Sequence, residues 1–274
     1  MTLLNGNGKP LTAYAVDWQA NWVIEGLWQT RGVNMLCGAP RARKSTLNAY
    51  LVVCALTGRP AFDLLPVKPI TRAAIFFGEG IPDAEATRFH AAFAGLGLDN
   101  SSYKDRITIF GPQFLLRFDP GNDHSALRKE LAADGYDFVS FDPLVNFHNQ
   151  EENTSKMAAV MAQITAFTEF ATVSLPHHVA KPSLEGPPKS LSHQARGHGS
   201  IAGYTAVNMV LERAGSSDEH TLKTDAKYTE KHGSLKIFLK NGIWTLGEDD
   251  IRQRAAEIVQ ENPSLSQNEV AKKL

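Results

Sequence analysis

Between residues 33 and 175 short apolar runs alternate with helical patterns, and the runs are apolar throughout instead of at every second position. Val33–Cys37, Ala73–Phe77, Ile107–Ile109, Asp137–Phe141 and Ala171–Leu175 read as strands. Lys44–Thr57, Asp83–Leu96, Asp123–Asp134 and Ser155–Phe170 read as helices. A strand without polar alternation is buried on both faces, and strands separated by helices cannot pair as hairpins. Together these features predict an α/β fold with a mostly parallel central sheet flanked by helices.

Lys181–Ser200 breaks the rhythm with Pro, Ser, Gly, Lys and His and reads as a loop. Ala206–Leu211 reads as a further strand. Leu235–Leu239 and Gly242–Leu246, separated by Lys240-Asn241, read as a late β-hairpin. Residues 1–28 form a lead-in whose apolar contacts come from Trp18, Trp22, Val23, Ile24, Leu27 and Trp28. One domain over residues 1–248 is expected, followed by a short C-terminal helical extension over 249–274. That extension, Ile251–Glu261 and Ser266–Leu274 around Pro263, reads as a helix-turn-helix unit that stops after its second helix.

Composition narrows the function classes. Lys+Arg is 28 against Asp+Glu 29, a net charge of −1, which argues against wrapping duplex DNA by bulk charge. With 43% hydrophobic and 21% charged residues the chain has enough apolar content for a core and is not disordered. Cys37 and Cys54 lie in apolar stretches and support neither a disulfide framework nor a four-ligand zinc site. Met1–Gly8 has no apolar signal core, and no run reaches the roughly 18 apolar residues of a membrane span, so a cytoplasmic location without membrane partners is expected.

The sharpest local signal is Gly38-Ala39-Pro40-Arg41-Ala42-Arg43-Lys44-Ser45-Thr46, which follows a strand and opens a helix. Loop and first-turn N–H groups in that context converge on a phosphate, and the helix dipole favours the anion. Lys44 would reach the β- and γ-phosphates of ATP, and Ser45 would ligate Mg²⁺. Arg43 stands where this motif has Gly. It either strains the loop or sits in ordinary dihedrals, and its guanidinium could then add positive charge near the nucleotide. A basic helix start without a ligand would read the same way.

Further polar groups fall at strand ends, the edge where open α/β sheets bind ligands. Glu79, between Gly78 and Gly80, could orient and deprotonate a water, or be an acid in an exposed turn. Asp142 ends Phe138-Val139-Ser140-Phe141, a pattern suited to holding Mg²⁺ or to capping a turn before Pro143. His177 and His178 follow Ala171–Leu175, where a polar side chain could sense the γ-phosphate. Adjacent histidines project differently and lack an accompanying acid or thiol cluster, which makes a zinc site a poor fit.

Taken in order, these residues resemble RecA-like P-loop ATPases of the plasmid RepA helicase type. The similarity is carried by Asn21-Trp22-Val23-Ile24-Glu25-Gly26-Leu27, by Asp142-Pro143-Leu144-Val145-Asn146-Phe147-His148 with Glu151-Glu152-Asn153, by Pro176-His177-His178-Val179-Ala180-Lys181, and by Ala195-Arg196-Gly197-His198-Gly199-Ser200-Ile201. It spans about residues 18 to 245.

The resemblance implies that Lys44 and Ser45 bind phosphate and Mg²⁺, Glu79 is the water-activating base, Asp142 the metal acid, and His178 rather than His177 the γ-phosphate sensor. It implies a ring, hexameric in the relatives, with a basic residue of the late strands reaching the neighbouring nucleotide; Lys223, Lys227 and Lys231 are the candidates. It also implies that Lys181, Lys189 and Arg196 face single-stranded DNA, and that replication proteins are partners. A solvated connection would carry the same charges. Two activities follow: a DNA-stimulated ATPase acting as a helicase or helicase-like motor in replication of a plasmid, phage or mobile element, or a nucleotide-dependent assembly module with weak or absent turnover. Glu79 and Asp142 favour the first and Arg43 the second. A small-molecule kinase fits less well, because no lid with clustered Arg is present.

Overall fold

The computed structural model describes residues 19–179, 191, 199–214, 218–228 and 232–262. Within them the chain runs β1 (Trp22–Ile24), β2 (Trp28–Gln29), β3 (Val33–Gly38), α1 (Lys44–Thr57), β4 (Ala73–Phe77), α2 (Pro82–Gly95), β5 (Ile107–Phe110), α3 (Ser125–Ala133), β6 (Phe138–Asp142), α4 (Met157–Thr165), β7 (Thr172–His178), α5 (Ser200–Gly203), β8 (Val207–Arg213), β9 (Glu219–Ala226), β10 (His232–Lys240), β11 (Ile243–Leu246) and α6 (Glu248–Glu261). Among the described residues nine strands form one sheet in the order β11-β10-β9-β8-β3-β7-β6-β4-β5. The stretch from β8 through β3, β7, β6 and β4 to β5 is parallel, as the apolar runs predict.

Two cores cover the two faces, because each strand of the parallel half has apolar side chains on both. Leu36, Ile75, Phe77 and Met209 pack beneath α1 and α2, and Val33, Met35, Phe76, Val139, Phe141 and Leu175 pack beneath α4 and α5. The β1–β2 hairpin delivers Trp28 to the first core, where its ring centroid lies 4.7 Å from that of Phe138. Val23, Ile24 and Leu27 are buried beside it, while Trp18 lies outside the described residues. Cys37 and Cys54 are buried, and burial pushes both thiols up to about 12, so neither is a reactive thiolate at neutral pH.

Several sequence expectations need correction. The late hairpin is present as β10 and β11, but β9 joins it to β8, making an antiparallel extension of the sheet. The helix read over Ser155–Phe170 is α4 followed by a 3₁₀ turn over Ala166–Glu169. The strand before His177 does not stop at Leu175; β7 runs through both histidines. The first C-terminal helix is α6, and Ser266–Leu274 lies outside the described residues. Among the described residues no helix is long and apolar enough to cross a membrane.

A buried polar bridge seats α1 on the sheet. Asn48 Nδ2 donates to Ser140 Oγ of β6 at 3.0 Å, and Ser174 Oγ of β7 donates to Asn48 Oδ1 at 2.6 Å. All three residues are buried, so a missing partner leaves a polar group dehydrated and unpaired. Asn48→Ala is expected to lower the unfolding free energy by about 1–3 kcal/mol for each hydroxyl left unpaired, read by urea denaturation. An unchanged midpoint would show that the bridge does not hold α1.

Candidate nucleotide site

The C-terminal ends of β3, β7, β6 and β4 lie side by side. Gly38 is in register with His178, and Phe77 with Asp142. The Gly78 N–H donates to Asp142 O at 2.9 Å, closing the row beyond the strands. This is the ligand edge of an open parallel sheet, and α1 begins directly above it.

The loop leaves the first turn of α1 uncapped. Arg43 is the N-cap residue with φ 66 and ψ 27, its side chain makes no cap hydrogen bond, and no acid sits in the first turn. The first helical bond is Leu47 N–H to Arg43 O at 2.9 Å. The first-turn N–H groups of Lys44, Ser45 and Thr46 thus present the positive end of the helix dipole to the loop. Ordinary dihedrals at Arg43 are ruled out: φ 66 is the left-handed region that glycine enters freely, and Arg41 at φ 64 is there as well.

Gly38 is required for close packing. A Cβ there would lie 2.9 Å from the Leu211 carbonyl of β8 and 3.2 Å from Lys44 Cγ. Lys44 is 7% exposed, and its Nζ donates to Gly38 O at 3.0 Å and Ala39 O at 3.1 Å. The loop's own carbonyls therefore hold the ammonium inside the turn between β3 and α1. Burial lowers its pKa, opposed by Asp142, Cys37 and Glu79.

Asp142 is 3% exposed. It accepts a hydrogen bond from the Ser45 hydroxyl, while its Oδ2 is buried with no hydrogen-bond partner. Burial pushes the carboxyl up to about 6; Ser45, Arg88 and Lys44 pull it down and Glu79 pushes it up. A hydroxyl and a carboxylate with one bare oxygen form a hard-oxygen donor set, which suits Mg²⁺ completed by phosphate and water.

Glu79 is exposed at the turn after β4. Asn146 positions it: Nδ2 donates to Gly78 O at 2.8 Å and to Glu79 Oε2 at 3.4 Å. This approach needs glycine at 78, because a Cβ there would fall 2.3 Å from Asn146 Cβ.

Neither Asn146 nor Arg88 was assigned a role from the sequence. Arg88 lies on α2, pairs with Glu85, and its charge acts on both Asp142 and Glu79. Burial lowers its pKa and the two carboxylates raise it. Its sequence signal is the three-residue spacing from Glu85 on the helix that follows the Glu79 turn.

His178 and Ser174 share a face of β7 by strand alternation, and Ser174 touches Asn48 of α1, so residue 178 is at the strand end on the α1 face. His177 is fully buried on the opposite face, with Nε2 4.0 Å from Glu152 Oε1. Among the described residues no three or more His, Cys, Asp or Glu gather as a metal cluster. Lys223 pairs with Glu212 at 2.7 Å, and Lys227 Nζ donates to Gly203 O at 3.1 Å. Lys181, Lys189, Arg196 and Lys231 lie outside the described residues.

The Asp142 carboxyl gives a pH dependence of defined sign. Its folded pKa, about 6, exceeds the ordinary aspartate value of 3.8, so between these values the native state binds more protons. Stability from this group is therefore full below about pH 4 and lost as pH rises through about 6. Asp142→Asn should stabilise the nucleotide-free protein by about 2–3 kcal/mol at pH 8, with the gain vanishing near pH 4, as measured by urea unfolding at both pH values. An equal effect at both would refute the shifted pKa.

The AAA domain family matches over residues 15–183, a stretch that takes in the phosphate loop, Glu79, Asp142 and His178. Among solved structures, a KaiC-like protein from the hyperthermophilic archaeon Pyrococcus horikoshii is similar in fold, with a TM-score of 0.54 and 14% identity over 82% of this chain and 93% of that one. No curated protein sequence matches the chain. With the parallel sheet, the loop between β3 and α1 and the acids at the strand ends, the chain belongs to the AAA domain family and has the RecA-like fold of P-loop ATPases.

Proposed function

We propose that the chain binds and hydrolyses ATP with Mg²⁺ as a RecA-like motor of the plasmid RepA helicase type, acting on single-stranded DNA in replication of a plasmid, phage or mobile element. The observation that carries the hydrolytic part is the meeting, at one sheet edge, of an uncapped helix start with Lys44, the half-bare Asp142 carboxylate and Glu79 held by Asn146.

The roles follow from charge and position. First-turn N–H groups and Lys44 take the phosphates. Ser45 and Asp142 would hold Mg²⁺, which would supply positive charge to offset that of the phosphates. Glu79 takes a proton from the water that attacks the γ-phosphorus, while the bond to the β–γ bridging oxygen breaks and ADP leaves. Arg88 offsets the negative charge of Asp142 and Glu79 and so favours the ionised form of the buried Asp142 carboxyl. His178 senses the γ-phosphate at the strand end. The DNA contact is proposed for Lys181, Lys189 and Arg196, multiplied by assembly into a ring of six in the cytoplasm. In that ring Lys223 or Lys227 would exchange its own-chain partner for the neighbour's nucleotide.

A second reading, a nucleotide-dependent assembly module with weak turnover, is favoured by the left-handed Arg43 in the loop. Turnover separates the two. The motor predicts ATP hydrolysis stimulated by single-stranded DNA, and a fall of about 10²–10⁴-fold in Glu79→Gln with nucleotide binding retained. Steady-state phosphate release with and without an oligonucleotide checks this. Nucleotide binding with little release in either protein would favour the module, and release unaffected by Glu79→Gln would remove that residue from the chemistry.

A further inference from the structure

We infer that Arg43 is a ligand for the nucleotide's phosphates, held in reserve by Asp218 and handed over when a nucleoside triphosphate enters the loop. This rests on the nucleotide site proposed above and adds a charge that its motif does not contain.

The first observation is conformational. Arg43 occupies φ 66 and ψ 27 directly before Lys44, a conformation that glycine adopts without penalty and a Cβ makes costly. Nothing in the backbone of that turn calls for a side chain, so what Arg43 adds over glycine is its guanidinium.

The second observation is where it goes. Arg43 Nη2 lies 3.6 Å from Asp218 Oδ1, with the side chains 36% and 61% exposed. Asp218 directly precedes β9, and His220 is in register with Arg213 at the end of β8. β8 is the neighbour of β3 on the side away from β7, β6 and β4. The guanidinium therefore rests at the ligand edge, on the flank opposite Asp142 and Glu79.

The third step is orientation. A triphosphate must turn its γ end toward Glu79 and Asp142, so its α-phosphate and nucleoside extend toward the β8 flank, where Arg43 waits. An exposed ion pair of this length is weak and screened by salt, whereas a triphosphate offers several anionic oxygens and bidentate geometry to a guanidinium. Arg43 exchanges one partner for the other, and the β8–β9 connection loses its tie to the loop in the same event.

The test is calorimetric titration of the full chain with magnesium-ATP at low and high salt. Arg43→Gly is expected to bind about tenfold more weakly although it restores the usual residue, with Arg43→Lys in between. Asp218→Asn is expected to bind ~2–5-fold more tightly at low salt, the gain fading at high salt. Thermal unfolding without nucleotide should show Arg43→Gly at least as stable as the parent, so that a binding loss is not a folding loss. Binding in Arg43→Gly as tight as in the parent, or an unchanged affinity in Asp218→Asn, overturns the inference while leaving the site intact. A parent protein that binds no nucleotide overturns the site reading and this inference together.

Discussion

The helix that cannot cap itself organises this molecule. A parallel strand followed by a helix must turn at the sheet edge, and here the turn places an arginine at the N-cap, which has no acceptor for the first-turn N–H groups. Those groups are left facing the strand ends, where Gly38 is packed so closely against the Leu211 carbonyl that a side chain there would clash. The buried Asn48 bridge to Ser140 and Ser174 fixes the same helix from below. The positive pole of α1 is thus set by packing before any ligand arrives, which is the preorganisation that phosphate chemistry rewards.

The negative half of the site is balanced against it. Asp142 is buried, and a buried carboxylate is driven toward its neutral form unless cations stand near. Ser45, Arg88 and Lys44 offset that drive only in part. The carboxyl remains a strained group with an unpartnered oxygen, paid for by the stability of the rest of the fold. Such a group gains most from a divalent cation, so the same feature that costs the protein stability suits the Mg²⁺ proposed for this site.

Legibility in the sequence followed the range of the interactions. The parallel strands were readable because burial on both faces leaves a continuous apolar run, and Lys44, Ser45, Glu79 and Asp142 stand out as candidates because each belongs to a short local pattern. β9 escaped because Glu219–Ala226 alternates buried with half-buried residues and has no apolar run. β7 was cut short because Pro176 lacks an N–H and looks like a strand end, yet it pairs with Leu36 inside the sheet. Asn146 and Asn48 were invisible as site residues for a different reason. Their partners lie on other elements, Asn48 reaching Ser140 and Ser174 and Asn146 reaching Glu79, and only the folded sheet brings them together.

The two halves of the sheet contribute unequally to this edge. The parallel half supplies the loop, both acids and the histidine from strands locked between two cores. The antiparallel half, β9 to β11, adds its buried face to the core beneath α1 and touches the phosphate loop through Asp218 and Arg43. A frame packed between two cores and tied, among the described residues, to the exposed β9 edge by the Arg43–Asp218 pair has a natural place for change: the tie is weak, its partner sits on the loop itself, and neither acid need move when it breaks. An arginine in a left-handed turn of the loop, paired with Asp218 before β9, thus couples the helix start to the late strands.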